Sequence, residues 1–270
     1  MKNKVASIIL IAILYAILLP ILISGSMAFS PDSFLTIPTK DWTTKWFIEF
    51  LDQNRWTEAF LRSFSIALGS MFLSLFVGLP LAYAMTRLNI HFKKTITTLV
   101  FFPFAMPPII LGMGSLPMFY IMQLNGTNMQ IVFMHSLLIL PVVYLILKNK
   151  LESLDSQIEN AALGLGAGTF QSLWLITLPL ILPSIATSGI AGFVISMNES
   201  MVTLFMAGPT NETIPTITWS QLKHAPTPLV AVASIINLSI ILIVALGSYF
   251  ATTSIKNYLN KIKFTEKAKS

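Results

Sequence analysis

Few side chains in this 270-residue sequence could carry covalent chemistry. There is no cysteine, which removes disulfides, thiolate zinc sites, iron–sulfur clusters and a cysteine nucleophile together. The three histidines, His91, His135 and His224, stand apart, and no H-E-x-x-H pair occurs. His135 lies inside an apolar run and reads as a packed or hydrogen-bonded side chain. No G-x-x-x-x-G-K-S/T phosphate loop is present, so the chain is not expected to bind or hydrolyse ATP itself. Scattered serines lack a plausible base. No catalytic, cofactor-binding or metal-ligating set is therefore expected. Two places remain where residues act on something else. One is a patterned polar stretch at 151–168. The other is Glu199, beside Asn198, near the end of an apolar run. A carboxylate there is costly unless hydrated or paired. It either draws an amine or ammonium group, or it serves the helix end structurally.

The elements that position these residues follow from composition. Hydrophobic residues make up 54% of the chain and charged residues only 10%, against about 25% charged in soluble domains. Such a chain cannot cover a water-facing surface, so lipid must face much of it. Apolar runs of span length lie at about Val5–Ile23, Phe60–Met85, Ile96–Tyr120, Met129–Leu147, Leu173–Ile195 and Leu229–Phe250. The expected fold is an all-α integral membrane protein of about six transmembrane helices. The first run ends in Ser24-Gly25-Ser26-Met27-Ala28, which imitates a signal-peptidase site. Its length and the spans that follow favour a retained helix. In the third run, Pro103, Pro107, Pro108 and Pro117 are expected to be tolerated because bundled membrane helices re-satisfy freed carbonyls. Between the first two runs, Trp42, Trp46, Phe47 and Trp56 fit either a short interfacial helix or a packed outer loop.

Charge sets the expected orientation. In a six-span arrangement both termini, the 86–95 loop and the 148–172 loop share one side. That side holds Lys2, Lys4, Arg87, Lys93, Lys94, Lys148, Lys150, Lys256, Lys261, Lys263, Lys267 and Lys269, twelve of the 17 Lys and Arg. The other side keeps Lys40, Lys45, Arg55, Arg62 and Lys223. The side rich in positive charge is cytoplasmic. The net charge of +6 is thus a matter of membrane topology, and nucleic acid is not an expected partner.

In the 151–168 stretch, Leu151, Leu154, Ile158, Ala161, Ala162 and Leu165 recur at three- and four-residue steps, predicting a helix with one apolar face. Ser153 or Asp155 is placed to cap its start, and Gly164, Gly166 and Gly168 end it. Such a helix outside the membrane lies on headgroups, packs on its own bundle, or docks into a partner.

Ala161-Ala162, then Gly166, then Ile176-Thr177-Leu178-Pro179 match the spacing of the EAA motif. On that ground the chain resembles the permease subunits of binding-protein-dependent ABC importers of the type I fold. Gly78–Ala84 ahead of Arg87, and Phe102-Pro103 with Pro107–Gly112, extend the resemblance, which covers about residues 58–250. Within the family, Ser196–Ser200, Thr203-Leu204-Phe205, Gly208-Pro209, Thr213–Pro215 and Trp219 resemble the spermidine/putrescine subgroup. The resemblance implies alternating access driven by separate ATPase subunits. It further implies a second permease subunit (a related chain before an identical copy), a solute-binding protein outside and a bacterial inner-membrane location. It casts 151–168 as a coupling helix, with Leu154, Ile158, Glu159, Asn160, Ala161, Ala162 and Gly166 as its working residues. Asn198 and Glu199 fall on the substrate pathway. The expected division is 1–28 first transmembrane helix, 29–57 outer segment, 58–252 permease core and 253–270 basic cytoplasmic tail. One departure stands out: the motif's glutamate falls on Asn160, while Glu159 sits one residue earlier, about 100° away on a helix. A specific salt bridge at that position is therefore not expected. Polyamine leads among substrates, with other amine-bearing solutes, phosphonates, iron complexes and thiamine-like compounds open. An ion-gradient-driven transporter and a membrane-embedded enzyme would need repeats or clustered ionisable residues that the sequence lacks.

Overall fold

The apolar runs fold into helices because a segment in lipid must satisfy every backbone N–H and C=O internally. A computed structural model describes residues 2–32, 41–208, 210–224 and 226–267. Lys40, Pro38, Pro209 and the side chains of the C-terminal lysines lie outside the described residues. Among the described residues five helices are long and apolar enough to cross a membrane, and six if one bent pair counts as a single span. The chain divides into two compact units, residues 1–61 with 212–240, and residues 62–211 with 241–270.

In the first unit, α1 (Lys2–Met27) is apolar on every side, and none of its most apolar window is buried. The short helix α2 (Lys45–Asp52) turns Trp46 and Phe50 inward against Trp56, Ala59, Ile217 and the 229–233 stretch. Trp46 satisfies its buried indole by donating to the Ser30 carbonyl at 2.7 Å. The 41–59 stretch is thus a packed segment built around one short amphipathic helix. Arg55 grips Glu212 with two hydrogen bonds of 2.9 and 2.7 Å.

The second span is longer than expected: α3 runs Asn54–Arg87. The third is not continuous. It breaks into α4 (Lys93–Ala105) and α5 (Pro108–Ile121), bent by 104°. The expectation that its prolines would be absorbed within one helix fails at Met106-Pro107-Pro108. Pro107 forces Met106 out of helical geometry (ψ 144°), and the pair supplies no N–H to carry the ladder across. Pro108 then sits at the first position of α5, where its fixed φ suits a helix start. Pro103 and Pro117, by contrast, remain inside their helices.

α6 (Asn128–Glu152) is the buried centre of the second unit. Its Lys148 end packs Tyr144 and Leu147 with Val100 of α4, and its Asn128 end packs Ile131 and Met134 with Phe119 of α5. The bent pair therefore follows α6 along its length, each half covering one end. The next span starts as α8 (Thr169–Ser172), widens into a π turn (Leu173–Thr177) and continues as α9 (Leu178–Asn198). Pro179 offers no N–H to Leu175, and the wide turn falls immediately ahead of it, a common cause of such bulges. α10 (Met201–Met206) and α11 (Ile214–His224) follow, and α12 runs Pro228–Lys267.

Candidate functional site

The chain does not form one helix over 151–168. Leu151 is fully buried at the end of α6, and Ser153 closes that helix. Asp155 then opens α7 (Ser156–Gly164) by accepting the Gln157 N–H at 2.9 Å. At the other end Gly166 takes φ +92°, and the amides of Gly166 and Ala167 return to the carbonyls of Leu163 and Ala162 at 3.0 Å each. This is a Schellman stop, which needs a residue free to adopt a left-handed conformation. The motif glycine thus has a geometric reason.

The restart at Asp155 changes which residues face inward. Leu154 packs against the cluster of Val143, Tyr144, Leu147 and Leu151, and Ala162 is buried. Ile158, Leu163 and Leu165 are 47%, 42% and 90% exposed, so the single apolar face read over 151–165 is split in two. Asn160 and Ala161 are exposed as well. Glu159 is the polar residue that points in. One carboxylate oxygen takes the Arg87 Nε–H at 2.9 Å, and the other takes the Thr177 hydroxyl at 2.9 Å. Arg87 also donates to the Leu154 carbonyl at 3.3 Å. Both side chains of the ion pair are about nine-tenths shielded, at 14% and 13% exposure. Asn160 thus makes no salt bridge among the described residues, and the ion pair is made one residue earlier, through Glu159. Arg87 closes α3, and Thr177 lies in the π turn before α9. One carboxylate thus ties α7 to the ends of two spans. Sequence reasoning placed Arg87 and Thr177 in matched stretches but gave no sign that they meet.

The second place is the break between α9 and α10. Glu199 ends α9 with an extended backbone, and one of its oxygens accepts the Val202 N–H at 2.9 Å, in the first turn of α10. It is half-buried, and its other oxygen makes no hydrogen bond among the described residues. Asn198 is exposed and donates to the Val194 carbonyl at 2.9 Å. The structural role for Glu199 is thus occupied by one oxygen, and the other is free to meet a cation.

α10 is held from both sides. On α6, Gln130 donates to the Met206 carbonyl at 2.7 Å. On α5, Gly112 lies so close that an added Cβ would sit 3.3 Å from the Val202 carbonyl oxygen. His135 of α6 is buried between Ser196 Oγ (2.7 Å from Nδ1) and Thr203 Oγ1 (2.8 Å from Nε2). Thr203 gives its proton to the Glu199 carbonyl at 3.3 Å, so it accepts from Nε2–H, and Nδ1 accepts from Ser196. One imidazole thereby clamps the residues a turn before and a turn after Glu199. Nitrogen-15 spectra of histidine-labelled protein are expected to contain one neutral Nε2–H signal that disappears in His135→Gln; an Nδ1–H tautomer there overturns the assignment.

No group of three or more His, Asp, Glu or Cys able to hold a metal occurs among the described residues.

Comparison with known proteins agrees with this architecture. The chain is 28% identical over 235 residues to the spermidine/putrescine transport system permease protein PotC of Escherichia coli (strain K12), covering 86% of this chain and 89% of that one. It is 24% identical over 217 residues to the putrescine transport system permease protein PotI of the same organism (77% and 76%). To the sulfoquinovosyl glycerol transport system permease protein SmoH of Agrobacterium fabrum it is 31% identical over 182 residues (65% and 63%). Among solved structures, a chain of a bacterial alginate ABC transporter in complex with a pentasaccharide-bound periplasmic protein superposes with TM-score 0.71 at 17% identity, over 92% of each chain. A chain of the MetNI methionine ABC transporter, in an inward-facing conformation, gives 0.64 at 15% identity over 74% and 95%. These two likenesses bear on the fold, which is that of type I importer permeases. In such importers the ATPase is a separate subunit, and the permease assembles with it, with a partner permease and with a periplasmic binding protein. Residues 74–253, more than half of the chain, match the family of binding-protein-dependent transport system inner membrane components, and the chain belongs to that family as a multi-pass permease subunit of an ABC importer.

Proposed function

We propose that this permease forms half of an import pathway for a polyamine and that α7 is the element through which an ATPase subunit drives it. The observation that carries the reading is the division of α7. Its inner side is bolted to the ends of two spans through Glu159, while its outer side presents Ile158, Leu163 and Leu165 uncovered. A helix built in this way transmits a push from outside without yielding at its base. Ala161 and Asn160 lie on the exposed part, Leu154 and Ala162 belong to the seat, and Gly166 fixes where the rod ends. Polyamine is supported by the free oxygen of Glu199, which suits an ammonium group, and by the two polyamine permeases among the relatives.

In this reading the side rich in lysine and arginine faces the cytoplasm, and both termini lie there. Residues 1–28 are the first span, 29–57 the outer segment, 58–252 the permease core and 253–270 a basic tail. The partner permease is a related chain. ATP-driven closure of the ATPase pair draws the two coupling helices together and rocks the spans.

One assay tests both halves of the proposal: ATP hydrolysis by the reconstituted importer, stimulated by its binding protein loaded with spermidine or with sulfoquinovosyl glycerol. Spermidine is expected to stimulate, and Ile158→Asp with Leu165→Asp is expected to cut that stimulation at least tenfold while unstimulated hydrolysis persists. Stimulation by the sugar alone refutes the substrate. Full stimulation in the double variant refutes the role of α7.

A further inference from the structure

Where α3 and α6 end, a cavity of about 470 Å³ opens between them and the first two turns of α4. Lys93, Lys94, Thr97 and Thr98 share one face of α4 by their spacing and line one wall. Lys148 and Glu152 of α6 line the other. Three ammonium groups thus meet a single carboxylate. That carboxylate lies 3.6 Å from Lys148, a loose pair with Glu152 half in water, and no carboxylate reaches Lys93 or Lys94 among the described residues. Topology accounts for lysines at the ends of spans. It does not account for their convergence on a hollow.

We propose that this cavity holds the headgroup of an anionic phospholipid. The excess positive charge suits a phosphodiester, and a basic pocket between membrane helices at headgroup level is where such lipids are recognised. The surface leading away from the cavity decides between a lipid and a soluble phosphate. One turn beyond Thr98, Phe102 is 57% exposed, and Leu99 beside it is 64% exposed. One turn before Lys148, Leu145 is 44% exposed. The cavity therefore stands at the head of an apolar track that runs along the spans, the shape of a headgroup above acyl chains. In the cavity wall, Thr97 shares a hydrogen bond of 3.4 Å with the buried Tyr144 hydroxyl, and with Tyr144 as donor the Thr97 proton is left for a phosphate oxygen. The proposal needs only the spans and stands apart from the importer's substrate.

The test is lipid retention. The full chain is purified, placed in nanodiscs of mixed phosphatidylcholine and phosphatidylglycerol, and its bound lipid is measured by mass spectrometry after delipidating washes. Each lysine contributes about fivefold in affinity, so Lys93→Gln with Lys94→Gln and Lys148→Gln is expected to lose about a hundredfold in phosphatidylglycerol retention. The matching triple change to arginine is expected to keep it and also reports that the fold survives. Removing three lysines from the C-terminal stretch instead (Lys256, Lys261 and Lys263 to Gln) is expected to leave retention within twofold. Equal loss from the C-terminal triple variant refutes a built site. Displacement of the lipid by millimolar inorganic phosphate or glycerol phosphate refutes the lipid as occupant.

Discussion

Glu159→Ala is expected to lower substrate uptake by roughly a hundredfold while the protein still inserts and assembles. The change removes two charge-assisted hydrogen bonds and leaves Arg87, 14% exposed, facing a lost partner. Breaking one side of a shielded pair costs about 3 kcal/mol, and every 1.4 kcal/mol is about tenfold. That cost falls on the seat of α7 and not on the core of the spans, so the deficit belongs to coupling more than to folding. Asn160→Ala, one residue on and exposed, is expected to stay within twofold of the parent. A combined Glu159→Arg and Arg87→Glu exchange should recover part of the loss. Uptake measured in proteoliposomes decides the matter, and a Glu159→Ala variant transporting at half the parental rate or better sinks the idea.

The other large effect is expected at Gly192, where α9 crosses α6. A Cβ added there would stand 2.6 Å from Ile139 Cγ2. That methyl sits on a β-branched side chain, which in a helix has one strongly preferred χ1 and cannot swing aside. Overpacking of this kind costs about 1–3 kcal/mol. In a membrane bundle the small residue is what lets the helices approach at all. Gly192→Ala should therefore lower the thermal midpoint clearly, and Ile139→Ala in the same chain should restore much of it, though each change alone destabilises. Gly189 is the internal comparison. A Cβ there would meet Leu75 Cδ1 at 3.1 Å, the far end of a flexible side chain, so Gly189→Ala should be milder. Equal midpoints for the two alanine variants, or additive losses in the double variant, contradict the geometry.

Much of the fold was legible because lipid simplifies the code. Long apolar runs had to be helices. The end of α7 at its glycines could be read as well, and a short helix was one of two readings for the stretch that holds α2. What escaped the sequence are matters of phase and adjacency. A three-to-four-residue repeat over 151–165 looks like one stripe only if one helix runs through it. The turn at Ser153–Asp155 resets the rotation, which leaves Ile158 and Leu165 uncovered and turns Glu159 inward. Similarly, a proline run reads as tolerable or as fatal depending on whether neighbours restore the lost bonds. At Met106–Pro108 two prolines in succession removed that choice. The clamp of Ser196, His135 and Thr203 left no trace in one dimension, since its members are 61 and 68 positions from the histidine that joins them.

The 104° corner between α4 and α5 has a further meaning. Neither arm, at 13 or 14 residues, reaches across a hydrocarbon layer of about 30 Å. The main chain at the corner has therefore left its helical ladder at depth, and in this chain alone Phe104, Ala105 and Pro107 lie uncovered. Fatty tails offer such peptide groups nothing to bond with. The peptide groups freed at the elbow must find their partners in moisture or in another polypeptide.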